Sequence, residues 1–378
     1  MGERVIPTFE LTRNYERIRQ EIHEGIERVL ESQHFILGKE VQDFENEVAS
    51  YLEVPFAIGC ASGSDALLLA LMGLGIREGD EVITTPFTFF ASASCIVRSG
   101  ARPVFVDIDP RTYNMDPRQV IEALTPKTKA VIAVHLFGQM CELEEIAPQL
   151  KERNIALVED CAQSFGAWRT LDGAPRRGGS IGDVGCFSFF PTKNLGCYGD
   201  GGMVTAASEE LAKEIRLLRV HGAGQDYFHD KVGLNSRLDA LQAAILRARL
   251  PHVEEWNRER RRVAERYEEL FAQAELGENL QIPLEAEGNY HVYHQYVVRV
   301  KRRGALQEFL KERGVGTRIY YPRSLHKQRC FEEYLASGVV CPESEKLCEE
   351  CLALPMFPEL TAEEQERVVT SIREFYRG

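Results

Sequence analysis

Apolar and polar positions along this chain fall into an alternation of strand and helix. Four short apolar runs read as strands: Glu81-Val82-Ile83-Thr84-Thr85, stopped by Pro86; Pro103-Val104-Phe105-Val106-Asp107-Ile108; KAVIAVHL from Lys129; and Ile155-Ala156-Leu157-Val158. Their near-continuous hydrophobicity suits strands covered on both faces. Between and after them the spacing of apolar positions lengthens to that of helices, in LEEIAPQLKER from Leu143 and again from Glu209 to Arg219. This order predicts an α/β fold with a central, mainly parallel sheet.

The texture changes near residue 250. LDALQAAILRARL from Leu238 is a strong helix former ended by Pro251, and a charged amphipathic stretch runs from Val253 to Leu270. Strand-like Tyr296-Val297-Val298-Arg299-Val300 follows, then helices near Leu306 to Arg313 and Glu363 to Phe375. The expected division is a large domain, residues 1–250, and a smaller C-terminal α+β domain, residues 251–378.

Composition narrows the function classes. The 378 residues are 44% apolar and 27% charged, the profile of a soluble globular protein. A net charge of −13 argues against non-specific nucleic-acid binding, which depends on Lys and Arg neutralising phosphates. No apolar run reaches the roughly 18 residues of a membrane span, and the first ten residues lack a secretory pattern, so a cytoplasmic protein is expected. The ten cysteines sit mostly in apolar segments and read as small buried residues. Cys348-Glu349-Glu350-Cys351 lacks a second ligand pair, and His291 and His294 bracket Tyr293 on an expected strand with no acid partner, so no metal is assigned.

Three segments carry candidate chemistry. After the apolar stretch ending at Cys60, ASGSDALLLAL from Ala61 starts a helix that Ser62 or Ser64 can cap, and its first N–H groups form a potential anion site. Glu159 and Asp160 close a strand, the place where ligands bind in open α/β sheets. An acid there can pair with a protonated pyridine nitrogen. Lys193 lies in FSFFPTKNLGCYGDGG from Phe187, among aromatic residues and glycines. Apolar surroundings lower a lysine's pKa and make it a usable amine nucleophile. There is no G-x-G-x-x-G after an early strand to support a nicotinamide oxidoreductase.

Seven stretches in register across nearly the whole chain resemble the DegT–StrS family of sugar-nucleotide aminotransferases. They are SGSDALLLAL from Ser62, DEVITTPFTFFASA from Asp80, VDIDPRTYNMDP from Val106, EDCAQSFGA from Glu159, FSFFPTKNLGCYGDGG from Phe187, GLNSRLDALQAAIL from Gly233 and YYPRSLHKQ from Tyr320. The resemblance implies an aspartate-aminotransferase-like (fold type I) large domain and pyridoxal 5'-phosphate as cofactor. It implies Lys193 as the Schiff-base lysine and proton carrier, with Asp160 on the pyridine nitrogen. Gln163 would lie near the cofactor ring and hydroxyl, with Phe89 over the opposite face. Gly63, Ser64 and Ser188 would bind the phosphate, and Asn235 would reach it from the second subunit of a homodimer with shared active sites. L-glutamate and a nucleotide-linked keto sugar are the implied substrates. A UDP-linked N-acetyl sugar or uronic acid aminated at C3 is the nearest look, and a dTDP- or UDP-linked 3-keto or 4-keto deoxyhexose the alternative. The chain departs from many members at Ser164-Phe165 and at Tyr320, on the expected substrate side. Lys231, Tyr320, Tyr321 and His326 are the substrate candidates, although Lys231 and His326 read equally well as solvated loop residues. Two rivals are a keto-sugar dehydratase, which carries His in place of the lysine, and a non-catalytic regulator, which would need a basic DNA-binding helix pair.

Overall fold

The computed structural model describes residues 5–224, 228–336 and 338–377. Its core is a seven-stranded sheet built from β1 (Phe56–Cys60), β2 (Glu81–Thr84), β3 (Arg102–Phe105), β4 (Thr128–Val134), β5 (Ala156–Asp160), β8 (Val184–Ser188) and β9 (Gly202–Ala206). They run in the spatial order β1-β9-β8-β5-β4-β2-β3. All neighbours pair in parallel except those of β9, which is antiparallel to both β1 and β8. The apolar runs of the sequence thus become strands covered on both faces: every residue of β2 and β9 is buried.

Two smaller sheets flank this core. A hairpin, β6 (Trp168–Leu171) and β7 (Ala174–Arg177), is extended by β11 (Asn289–Tyr290). A second three-stranded sheet joins β10 (Leu280–Gln281), β12 (Tyr296–Val300) and β13 (Cys351–Leu354). The 22-residue helix Val253–Ala274 and the helix Ala362–Arg377 pack with this sheet around Tyr267, Tyr296 and Phe357. Expected and observed elements agree within a few residues, with two exceptions. The helix expected over 143–153 forms only at Ala147–Glu152, because Pro148 is tolerated only in a first turn. The strand expected at His291–His294 is absent. There the backbone bonds to a turn instead, Val292 N–H to Gly138 O and Gln295 N–H to Phe137 O.

The first strand is tied down by a buried ion pair. Glu45 Oε1 accepts from Gly59 N–H at 2.8 Å and from Arg219 Nη1 at 2.5 Å, while the same guanidinium nitrogen donates to Gly59 O at 2.8 Å. Both side chains are buried. Truncating one partner strands the other charge, so Glu45→Ala is expected to lower unfolding stability by about 3 kcal/mol, read from denaturant titration. Among the described residues no helix is long and apolar enough to cross a membrane.

Candidate active site

Strands β1, β5 and β8 end, and β9 begins, on one side of the sheet, with Cys60, Gly202 and Ser188 in line across three of them. A cavity of about 360 Å³ opens there. It is lined by Ser62, Gly63, Ser64, Phe89, Asp160, Gln163, Ser188, Lys193, Tyr320 and Tyr321 among others. Topology thus gathers ten residues scattered over much of the chain into one pocket at the carboxyl ends of parallel strands, where such folds bind ligands.

One wall is a helix start. Ser62 caps Gly63–Gly73, its hydroxyl accepting from Asp65 N–H at 3.1 Å. The approach of backbone here requires glycine. A Cβ on Gly63 would stand 2.6 Å from Ser188 Cβ, and one on Gly202 would stand 2.4 Å from the Ser62 carbonyl. The serine hydroxyls and first-turn N–H groups make a cradle suited to a phosphate. Gly63→Ala is expected to weaken pyridoxal phosphate binding by about tenfold or more, the loss of one hydrogen bond or so, measured by spectral titration.

Asp160 also lines the pocket and is buried. Ser92 Oγ donates to its Oδ2 at 2.7 Å and Ala162 N–H to its Oδ1 at 3.1 Å. Burial nevertheless raises its pKa above the ordinary aspartate value, against the pull of Ser92, Ala162 and Lys193. A carboxylate held this way calls for a cation, and a pyridinium nitrogen is one. Lys193 lines the same cavity as Asp160 and the cradle's serines. Burial pulls its pKa down to about 8, with Asp160 opposing. A cradle for phosphate, an acid for a ring nitrogen and a lysine of lowered pKa fit pyridoxal phosphate.

Gln163 is oriented from both ends: its Oε1 accepts from Phe137 N–H at 2.8 Å and its Nε2 donates to Tyr321 Oη at 3.2 Å. Phe89 and Phe190, both about half exposed, stand at the mouth. Tyr320 and Tyr321 line the pocket, and burial raises both phenol pKa values. Three other candidates lie apart from it in the single chain. Asn235 is exposed in the loop after Gly233, its backbone bridged to Val220. Lys231 is exposed and ion-paired with Glu214 at 2.6 Å. His326 is buried against Ser324 at 2.8 Å and Glu345 at 2.9 Å.

The sequence reading missed Ser92, Asn194, Asn257 and the pair behind Asp160. His135 Nδ1 accepts from Cys141 N–H at 3.1 Å, so its Nε2–H donates to Glu159 at 2.9 Å. Burial alone would raise the Glu159 pKa, but His135 and the N–H groups of Gly179 and Gly182 outweigh it and hold it low. His135, Glu159 and Cys161 are close enough for shared metal ligation, yet the Glu159 carboxylate is already filled by these donors and Ile181 N–H.

Comparison with known proteins agrees with this geometry. The model of the DegT/DnrJ/EryC1/StrS aminotransferase family matches residues 16–373. The chain is 48% identical over 372 residues to a pleiotropic regulatory protein of Geobacillus stearothermophilus, covering 98% of this chain and 99% of that one. It is 44% identical over 373 residues to the UDP-N-acetyl-3-dehydro-alpha-D-glucosamine 3-aminotransferase of Acidithiobacillus ferrooxidans, covering 99% and 98%. Among solved structures, DesV of S. venezuelae in complex with a ketimine intermediate superposes with a TM-score of 0.94 at 38% identity, over 100% of both chains. With its family model spanning nearly the whole chain and its pocket furnished for pyridoxal phosphate, this protein is a member of the DegT/DnrJ/EryC1/StrS aminotransferase family, whose aminotransferases are pyridoxal-phosphate-dependent.

Proposed function

We propose that this enzyme transfers the amino group of L-glutamate to a keto group of a nucleotide-linked sugar, most closely C3 of a UDP-linked N-acetyl sugar or uronic acid. The observation that carries the reading is the single cavity that holds Lys193, Asp160 and the Ser62–Ser64 and Ser188 cradle together. The relatives favour the sugar class: one acts on UDP-N-acetyl-3-dehydro-glucosamine, and another, 42% identical, is the UDP-2-acetamido-2-deoxy-3-oxo-D-glucuronate aminotransferase of Pseudomonas aeruginosa. A dTDP-linked deoxyhexose is the second reading, favoured by a 41% identical dTDP-3-amino-3,6-dideoxy-galactopyranose transaminase of Aneurinibacillus thermoaerophilus.

Pyridoxal phosphate, when bound, supplies an aldehyde for the amino group and a ring that spreads carbanion charge. The chain supplies the rest. Gly63, Ser64 and Ser188 would bind the phosphate. Asp160 would hold a proton on the ring nitrogen, its carboxylate oriented by Ser92. Gln163, aligned by Phe137 and Tyr321, would address the ring hydroxyl, and Phe89 would cover one ring face. Lys193 would hold the cofactor through its amine and, once freed by the donor, would be the base that takes the proton from the donor's α-carbon and later gives it back. Its pKa near 8 leaves an appreciable fraction as free amine at neutral pH, as a general base requires.

Tyr320 and Tyr321 stand where the sugar would enter, and Lys231 and His326 remain candidates for its acid or diphosphate. Asn235 would complete the phosphate site of a partner subunit in a homodimer, a role in keeping with its exposure in this protomer. The same reading places the enzyme in the cytoplasm. It also divides the chain at residue 250, and the strands β10, β12 and β13 all lie beyond that point. The test is optical. Protein loaded with pyridoxal phosphate is treated with L-glutamate and, separately, with a panel of amino-sugar nucleotides. Loss of the visible band with glutamate and with one sugar identifies class and acceptor, whereas a band that glutamate leaves untouched overturns the proposed donor.

A further inference from the structure

Three buried side chains next to the reactive lysine fix the position of one hydrogen. The polarity starts at two main-chain carbonyls, which can only accept. Asn257 Nδ2 donates to Phe165 O at 3.1 Å, which leaves Asn257 Oδ1 as an acceptor. Asn194 Nδ2 donates to that oxygen at 2.7 Å and to Val292 O at 3.1 Å. Asn194 Oδ1 is thereby turned toward His294 Nδ1, 3.1 Å away, and only an N–H on Nδ1 completes the bond.

The other ring nitrogen is therefore a bare acceptor whenever the ring is neutral. It is neutral here. Burial, with the positive charges of Lys193 and Arg260 nearby, pushes the His294 pKa well below the ordinary histidine value. The other charged groups of this region are Asp160 and Asp200, which line the same cavity, and Glu359 and Arg249, which act on Arg260. Among the described residues neither His294 Nε2 nor the Lys193 amine has a hydrogen-bond partner. Both residues line the same cavity, and Asn194, which holds the ring, is the next residue after the lysine.

We infer that His294 Nε2 accepts a hydrogen bond from the Lys193 amine whenever that amine is free of the cofactor, making His294 the positioning residue that steadies the amine between its two proton transfers. The inference rests on Lys193 being the reactive amine. A neutral acceptor suits this role, because it orients an N–H without locking the amine as an ammonium, as a second carboxylate would. The asparagine pair keeps Nε2 from acquiring the hydrogen and becoming a competing donor.

The test uses the full-length, cofactor-free chain with pyridoxal phosphate as the probe. The rate at which the visible band appears is measured against pH, because capture needs Lys193 unprotonated. An ammonium donates to Nε2 more strongly than an amine does, so the bond favours the protonated form. His294→Leu is expected to move the midpoint of the rate profile down by about one pH unit. His294→Gln, whose amide can donate to Asn194 and present an oxygen to the lysine, is expected to restore it to within a few tenths. In turnover, His294→Leu should lower kcat about tenfold with the KM for glutamate little changed. A wild-type midpoint in the leucine variant, or a glutamine variant that behaves like leucine, overturns the inference. The unsubstituted protein offers a second reading through ring-nitrogen NMR. The histidine signal that disappears in His294→Gln should belong to a ring protonated at Nδ1, and an Nε2-protonated ring overturns the inference even if the leucine variant does not fold. Failure of the wild-type chain to form any visible band would instead sink the role of Lys193 itself.

Discussion

Lys193→Ala is expected to abolish both the visible band of the pyridoxal-phosphate-loaded protein and its turnover, by about 10⁴-fold or more. That is the upper range for removal of a single acid–base group, and in the proposed reaction the same side chain would also anchor the cofactor. The fold should survive. Lys193 follows Phe190 in a tight turn closed by its own N–H to Phe190 O at 2.9 Å, a backbone bond that alanine keeps. The variant should still bind pyridoxamine phosphate, because the cradle and Asp160 are untouched. Stopped-flow absorbance with glutamate and a thermal melt check the two halves of this expectation. Wild-type turnover in the alanine variant would remove the mechanism.

Asp160→Asn has the second largest expected effect, and it has two signs. Turnover should fall about 10³-fold, since a neutral amide cannot hold the ring nitrogen protonated. Cofactor-free stability should rise. Burial raises the Asp160 pKa, so the stability this group contributes is full below its unfolded value near 4 and is lost as pH climbs through the folded value. At neutral pH the ionised carboxylate is therefore a cost, which asparagine removes. Melting curves without cofactor at pH 7 should place the variant above the wild type, and the gap should close on acidification. A variant that melts lower at pH 7 would mean that Ser92 and Ala162 already compensate the buried charge.

Much of this was legible in the sequence because its signals are local. The runs that became β2, β4 and β5 need only their own hydrophobicity, and the glycines flanking Lys193 sit beside it in the chain. Non-local features were not legible. Nothing near Asp160 announces Ser92, which reaches it from the helix Ala91–Arg98, 68 residues earlier in the chain. The strand expected at His291 failed because its backbone groups were already committed to Phe137 and Gly138. His294 and Asn257 look like ordinary core polar residues until their hydrogen bonds are traced to Asn194. Lys231 and His326 drew notice as charged or polar loop residues, yet in one chain they are satisfied by Glu214 and by Ser324 with Glu345.

The line Cys60–Gly202–Ser188 joins β1 to β8 and β9, which lie far along the chain from it. A phosphate seated between Ser62–Ser64 and Ser188 would rivet that seam, where β9 runs antiparallel to both of its neighbours. Loading should slow amide hydrogen exchange most around Gly59, Ala61 and Met203 and least in the sheet of β12 and β13, which does not touch the pocket floor. The seam would be the place where the unloaded protein first loosens and where a protease first cuts, so the enzyme's lifetime in a cell would track the supply of its vitamin-derived cofactor.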